Sequence, residues 1–303
     1  MDIVGRRYWF FALSLIVIVP GIIALTLWRL PLAIDFTGGS LLEVTFEGAV
    51  PEPSEVEALY AEFNVGDPVV QTAGASGIIV RSKSIDDPTR AAIVGELSAR
   101  YSTAALQRFE SVGPAVGAEV TRRAAGAVGL AALGILLYIT YAFRRVPHAF
   151  RYGLCAILAM LHDVAVVFGM QAWLSRLFGW EVDALFLTAL LTVIGFSVHD
   201  TIVVFDRIRE NQTIYRRLPY ETVVNHSIVQ TLDRSINTQL TVMFTLLALA
   251  LFGGVTLRHF VIILLVGVFS GTYSSIFNAA PLLVVWENAE WRSWFRRRRP
   301  ATA

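Results

Sequence analysis

Hydrophobic residues in this chain fall into long unbroken runs separated by polar segments. A helix needs about 20 apolar residues to cross a bilayer. Six runs approach or exceed that length: 8–28, 124–143, 149–174, 184–205, 236–252 and 260–286. The last contains Pro281, so a bend or an end is expected there. The first follows Arg6 and Arg7 and ends in Leu-Trp-Arg-Leu-Pro. It is longer than a signal-peptide core and lacks a small-residue cleavage site, so it reads as a retained helix. Trp28, Trp173, Trp180 and Trp286 lie at or near run ends, where amphipathic rings favour the headgroup layer.

The pattern changes between the first and second runs. Residues 41–47 alternate apolar and polar, as a half-buried strand does. Residues 54–63 carry Val56, Leu59, Tyr60 and Phe63 at helical spacing. Segments 68–72 and 78–82 read as short strands around a Gly-Ala-Ser-Gly turn. Residues 87–101 are helical again, with Ile93, Val94 and Leu97 on one face, and 105–112 form a last strand. The order β-α-β-β-α-β predicts a small ferredoxin-like α+β domain.

The expected organisation is an N-terminus and first span over 1–29 and an extracytoplasmic domain over 30–121. A five-helix remainder of the bundle follows over 122–290, with a basic tail over 291–303. Composition agrees with this reading. Hydrophobic residues make up 55% of the 303 and charged ones 16%, against roughly 25% charged in soluble domains. The placement of basic residues sets orientation. Arg6, Arg7, Arg144, Arg145, Arg207, Arg209, Arg216, Arg217 and the arginines at 296–299 share one side, while the other short loops offer Arg176 and Arg258. Both termini are therefore expected in the cytoplasm, with the 296–299 run against anionic headgroups. A nucleic-acid role for that run is the weaker reading. Cys155, the single cysteine, lies in an apolar run and reads as a packing residue.

Chemistry concentrates in ionisable residues inside the spans, where each charge costs about 2.5–3.5 kcal/mol. These are His162 and Asp163, His199 and Asp200, and Arg234. Asp200 lies 16 residues after Ala184, and Arg234 lies 18 residues before Phe252. At about 1.5 Å per residue the two depths agree within about 3 Å, which favours pairing. Arg234, Thr238, Thr241 and Thr245 share one helical face, with Asn237 and Gln239 beside it. Such a stripe is either polar glue between helices or an ion path. His162 and Asp163, adjacent in sequence, point to different sides of their helix. Neither G-x-x-x-x-G-K-[ST] nor G-x-G-x-x-G occurs, nor do Gly-x-Ser-x-Gly or His-Glu-x-x-His in the spans. Enzyme activity is not expected, and no organic or metal cofactor is implied. Any work would draw on the membrane potential, about 2.3 kcal/mol per charge per 100 mV.

Several segments together resemble the SecF family of the bacterial protein-export machinery, within the RND superfamily. They are Ile34-Asp35-Phe36-Thr37-Gly38-Gly39, residues 112–119 (Val-Gly-Pro-Ala-Val-Gly-Ala-Glu), His162-Asp163-Val164, residues 200–211 from Asp200 to Asn211, and Arg234-Ser235-Ile236 through Thr238. The resemblance implies an RND-type bundle that pairs with SecD, associates with the SecYEG channel and acts on a translocating preprotein in the bacterial cytoplasmic membrane. It implies coupling to the proton gradient, with Na⁺ as the other candidate ion. By the same resemblance Asp200 and Arg234 carry proton coupling, with Thr238 on the path. From the residues themselves, His162 and Asp163 are auxiliary candidates, either a proton relay or a satisfied interhelical hydrogen bond, and His199 is a third as a titratable neighbour of Asp200. Two positions depart from the family's usual pattern: Ala33 where glycine is common, and His199 where asparagine is common. The rival readings are an independent RND-type exporter of small molecules or lipids, and a static scaffold without ion coupling.

Overall fold

A computed structural model describes residues 1–74, 76–101 and 104–290. In chain order the elements are α1 (Arg7–Trp28), α2 (Ile34–Thr37), β1 (Gly39–Phe46), α3 (Pro53–Glu62), β2 (Val69–Ala73), β3 (Gly77–Ser82), α4 (Asp87–Arg100) and β4 (Ala104–Val112). Then come α5 (Pro114–Ala142), α6 (Ala149–Phe178), α7 (Ala184–Ile214), α8 (Tyr220–Phe252), α9 (Val255–Ser274), a π turn (Ser275–Ala279) and α10 (Ala280–Glu287). The chain divides into two compact units, Leu32–Gly126 and the remainder.

The smaller unit holds a four-stranded sheet in the order β2-β3-β1-β4, with every neighbouring pair antiparallel. With α3 and α4 between strands, this is the expected ferredoxin-like arrangement. Alternation along β1 sends Leu42, Val44 and Phe46 to one face, where they meet Ile78 and Val80 from β3. Val56, Leu59 and Tyr60 of α3 and Ile93 and Leu97 of α4 close this core. Reciprocal bonds between Glu52 and Glu55 start α3, and the Asp86 side chain accepts from the Thr89 N–H to start α4. Both are N-terminal caps that satisfy otherwise unpaired backbone donors. Gly38 and Gly39 adopt φ of 73° and 123°, and a side chain on either would overlap backbone of Pro114 or Ser82. Glycine is required at this turn by both conformation and space.

The larger unit is the membrane bundle. Six helices are long and apolar enough to cross a bilayer among the described residues: Val4–Trp28, Pro114–Ala142, Ala149–Phe178, Ala184–Ile214, Tyr220–Phe252 and Leu257–Glu287. Several outrun the apolar runs that announce them. Helix α5 begins at Pro114, ten residues before the run at 124, because proline is suited to a first helical turn. Helix α8 begins at Tyr220, and its polar first half faces other polar groups: Asn211 donates to Ser227 Oγ and to Gln230 Oε1. The sixth span does not end at Pro281. That proline sits in the first turn of α10, directly after the π turn, where the ladder is already displaced. The basic run at 296–299 lies outside the described residues.

One layer of the bundle is aromatic. Phe143 stacks on Tyr152 at 5.2 Å, and Phe205 packs edge-on against both. Cys155 is fully buried within the same cluster. At the N-terminus, Asn225 Oδ1 accepts from the backbone N–H groups of Ile3 and Val4. Arg7 bridges Glu221 and Glu290, each at 2.7 Å.

Candidate functional site

The helices meet most closely where side chains are smallest. A side chain added at Gly21 of α1 would lie 2.9 Å from the Cα of Gly169 on α6. Gly267 faces Val193, and Gly271 faces the backbone of Ser197, so α9 runs tight against α7. Such approaches are the means by which small residues bring membrane helices together. Here they bring serine hydroxyls to a buried carboxylate.

Asp163 is fully buried. Its Oδ2 accepts from Ser197 Oγ of α7 at 2.5 Å and from Ser274 Oγ of α9 at 2.6 Å. Its Oδ1 accepts from Ser270 Oγ at 2.6 Å and lies 3.0 Å from His162 Nδ1. A carboxylate has about four acceptor positions; three hydroxyl donors and the imidazole face them. These lengths belong to charge-assisted bonds. His162 extends the network: its Nε2 lies 3.1 Å from Ser14 Oγ of α1, which accepts from Asn278 Nδ2 at 2.9 Å. His162 and Asp163 therefore act on each other, contrary to the expectation from their adjacency. The imidazole turns back toward its neighbour's carboxylate, and this suits a buried charge better than separation.

Asp200 is also buried but, among the described residues, has a single side-chain donor, Gln239 Nε2, at 2.6 Å. The pairing of Asp200 with Arg234 suggested by their depths is not made. Helix α8 turns Thr231, Ser235 and Gln239 inward, while Arg234 and Thr238 are exposed on this chain. Arg234 forms no ion pair among the described residues. Equal depth fixes height along the membrane normal and leaves the azimuth of each helix open. A residue at 234 is turned away from one at 239 by roughly 140° at about 100° per residue. Thr238, Thr241 and Thr245 each donate to the carbonyl four residues earlier and keep the stripe outward. His199 is exposed beside Asp200.

One turn of α7 connects the two carboxylates. Ser197, which binds Asp163, precedes Asp200 by three residues. The Ser197 carbonyl accepts from Thr201 Oγ1 and Ser275 Oγ, and those two hydroxyls lie 2.9 Å apart. Sequence reasoning named Asp163, His162 and Asp200 but missed Ser197, Ser270, Ser274, Ser14 and Asn278. The signal lay in the spacing: Ser270, Ser274 and Asn278 recur every four residues in an apolar span, a polar stripe of the kind noted on α8. Among the described residues, no cluster of His, Cys, Asp and Glu suited to a metal ion is present.

This arrangement occurs on a chain with extensive similarity to known proteins. Residues 93–289 match the family described as "Protein export membrane protein SecD/SecF, C-terminal", and residues 29–50 match the "SecD/SecF GG Motif". The latter contains the Gly38-Gly39 turn. A protein translocase subunit SecF from Anaerolinea thermophila is 59% identical over the full length of both chains. The chain belongs to the SecF family. The SecF of Thermobaculum terrenum is 51% identical over all of this chain and 99% of its own. Among solved structures, SecDF of Thermus thermophilus, a translocon-associated membrane protein, matches 95% of this chain at a TM-score of 0.80 and 35% identity. This chain spans 39% of that longer one. The SecF fold of six spans and a small ferredoxin-like domain is thus shared, and the GG turn occupies the start of its sheet.

Proposed function

We propose that this chain is the SecF subunit of a bacterial protein translocase and works with a SecD subunit. Together they would use the proton-motive force to drive late steps of export through SecYEG. The observation that carries the reading is Asp200: a carboxylate buried in an apolar span with, among the described residues, one amide donor and no paired cation. Such a group gains and loses a proton without dismantling its surroundings, whereas Asp163 holds three hydroxyl donors and faces an imidazole. Protons are the favoured coupling ion, with Na⁺ as the alternative. The SecDF relative supports the partnership with SecD, since the match covers only part of a chain named for both subunits. Arg234 and Thr238, exposed on α8, are positioned to face such a partner, and through it to reach the Asp200 path. In this reading the termini face the cytoplasm and the ferredoxin-like domain faces the emerging preprotein.

The test is export of a reporter preprotein in cells whose only copy carries Asp200→Asn, with membrane level and SecD association measured alongside. Normal assembly with slowed export that no longer responds to collapse of the proton gradient is the expected result. Unchanged export would remove Asp200 from energy coupling.

A further inference from the structure

Asp200 and the face of α8 beside it are short of hydrogen bonds. Asp200 Oδ2 accepts from Gln239 Nε2 at 2.6 Å, and Oδ1 has no donor among the described residues. An ionised carboxylate has about four acceptor positions, so most of its capacity is unused. Gln239 Oε1 is buried and also without a donor. Four residues earlier on the same helix, the buried hydroxyl of Ser235 has no partner. Gln239 and Ser235 are 3% and 2% exposed, so bulk solvent does not reach them. Other hydroxyls of α8 settle on the backbone: Ser227, Thr231, Thr238, Thr241 and Thr245 each donate to the carbonyl four residues back. Ser235 does not.

Buried polar atoms are nearly always satisfied, and these do not satisfy one another. Ser235 has one proton for two acceptors and bonds to neither. Side chains four apart on a helix are about 5–6 Å apart at Cβ, a gap that one water molecule bridges. Water has two protons to donate and lone pairs that accept. The unfilled groups are two acceptors, Asp200 Oδ1 and Gln239 Oε1, and one donor, Ser235 Oγ. A buried water typically makes about three such bonds to groups otherwise left unsatisfied.

We propose that ordered water sits between Asp200, Gln239 and Ser235, and that Asp200 exchanges its proton with the cytoplasm through it. This rests on the reading of Asp200 as the proton carrier and on the orientation given with it. The direction follows from the residues along α7 and α8. Toward the cytoplasmic end, Gln239, Ser235, Thr231 and Ser227 recur every four residues on the inward face of α8, all buried. The row ends at Asn211 of α7. Its Nδ2 donates to Ser227 Oγ, and its Oδ1 is a further buried atom without a partner. Exposed Gln230 joins Asn211 to the surface, its Oε1 accepting from Asn211 Nδ2 and Arg207 Nε. Val204 and Ile208 of α7 are buried over the same stretch, so the route has one polar wall and one apolar wall. Toward the outer end, Leu190, Val193 and Ile194 of α7 and Val261, Ile263 and Leu264 of α9 are buried and apolar. Among the described residues, α7, α8 and α9 have no unpartnered buried side-chain atom there. Asp200 is thus sealed outward and hydrated inward. On release, its proton passes to the water, the water gives up another proton along the row, and the carboxylate keeps Gln239 Nε2 as its donor.

The experiment uses this chain assembled with SecD in lipid. Cryo-EM maps that resolve ordered water should show density within hydrogen-bond reach of Asp200 Oδ1, Gln239 Oε1 and Ser235 Oγ. In vesicles of each orientation, Ser235→Cys in a Cys155→Ala background should lose its free thiol to Ag⁺ added at the cytoplasmic face. It should keep that thiol when Ag⁺ is added at the outer face, as scored by maleimide labelling of this chain after denaturation. Val193→Cys in the same background should keep its thiol in both. A dry seam, or a thiol at 235 that resists Ag⁺ from the cytoplasmic face or yields to it equally from both, overturns the proposal. The export assay with Asp200→Asn judges the proton carrier separately. A dry seam with export still uncoupled by Asp200→Asn removes the water route alone. Water present with export indifferent to Asp200→Asn removes the proton carrier, and the route with it.

Discussion

Two aspartates lie one helical turn of hydrogen bonding apart, yet their surroundings assign them different work. Asp163 satisfies three hydroxyls and faces an imidazole. Asp163→Ala strands those donors, each at a cost of about 1–3 kcal/mol. The expected loss is about 3 kcal/mol or more, read as a marked fall in the thermal midpoint of the reconstituted chain. Asp200→Asn keeps an acceptor for Gln239 Nε2 and should change stability by less than about 1 kcal/mol by the same measurement. Equal destabilisation by the two would refute the division of roles. Both aspartates were legible in the sequence because a charge in an apolar run is expensive. Their partners were not, since a serine in a span costs little and stands out only once the neighbouring helix is known.

Among the elements, the crossing of α1 with α6 depends on the absence of side chains at Gly21 and Gly169. Gly169→Leu should push the helices apart and cost about 1–3 kcal/mol through overpacking, while Gly195→Leu, whose added side chain meets no close neighbour, should be mild. Thermal denaturation of both variants distinguishes these outcomes. In the ferredoxin-like domain, hydrogen bonds from Thr89 hold the Asp86 carboxyl below the usual carboxylate range. A carboxylate with a lowered folded value stabilises fully above its ordinary range, and that contribution fades as pH falls through it. Protection of the first-turn amides of α4, measured against their intrinsic exchange rates, should therefore fall as pH drops below about 4. Asp86→Asn, an uncharged cap, should remove this dependence. The four strands and helices α3 and α4 of this domain were readable from period-2 and period-3.6 patterns to within about two residues, while the single turn α2 was not. The starts of α5 and α8 were not, because a membrane helix continues past its apolar part wherever polar partners or water take over.

For the molecule as a whole, burial is uneven. Within their most apolar windows, α7 and the sixth span are about half buried, against 6% for α5 and 11% for α8. Helices α5 and α8 are thus largely bare, and α8 carries the threonine stripe. An apolar helix face is at ease in lipid, but an arginine and three threonines are better covered by protein. A cysteine at Thr241, in a Cys155→Ala background, should crosslink to SecD in native membranes, and one at buried Ser227 should not. Equal crosslinking at both, or none at Thr241, would place the partner elsewhere. The sequence foretold the stripe; that it turns away from Asp200 follows from helix azimuth, a quantity fixed only by three-dimensional packing.

The π turn at Ser275–Ala279 amounts to one residue more than a regular helix would need over the same rise. Removing a single residue there would restore an unbroken α-helix and leave α10 in its present phase, because the wide turn already absorbs the extra residue. What would be lost is the local widening, from within which Asn278 donates to Ser14. A deletion in the regular α-helix on either side would instead rotate everything beyond it by about 100°, so this stretch is the place in the sixth span where chain length can vary by one residue without carrying Leu283 and Val284 out of the core they now share.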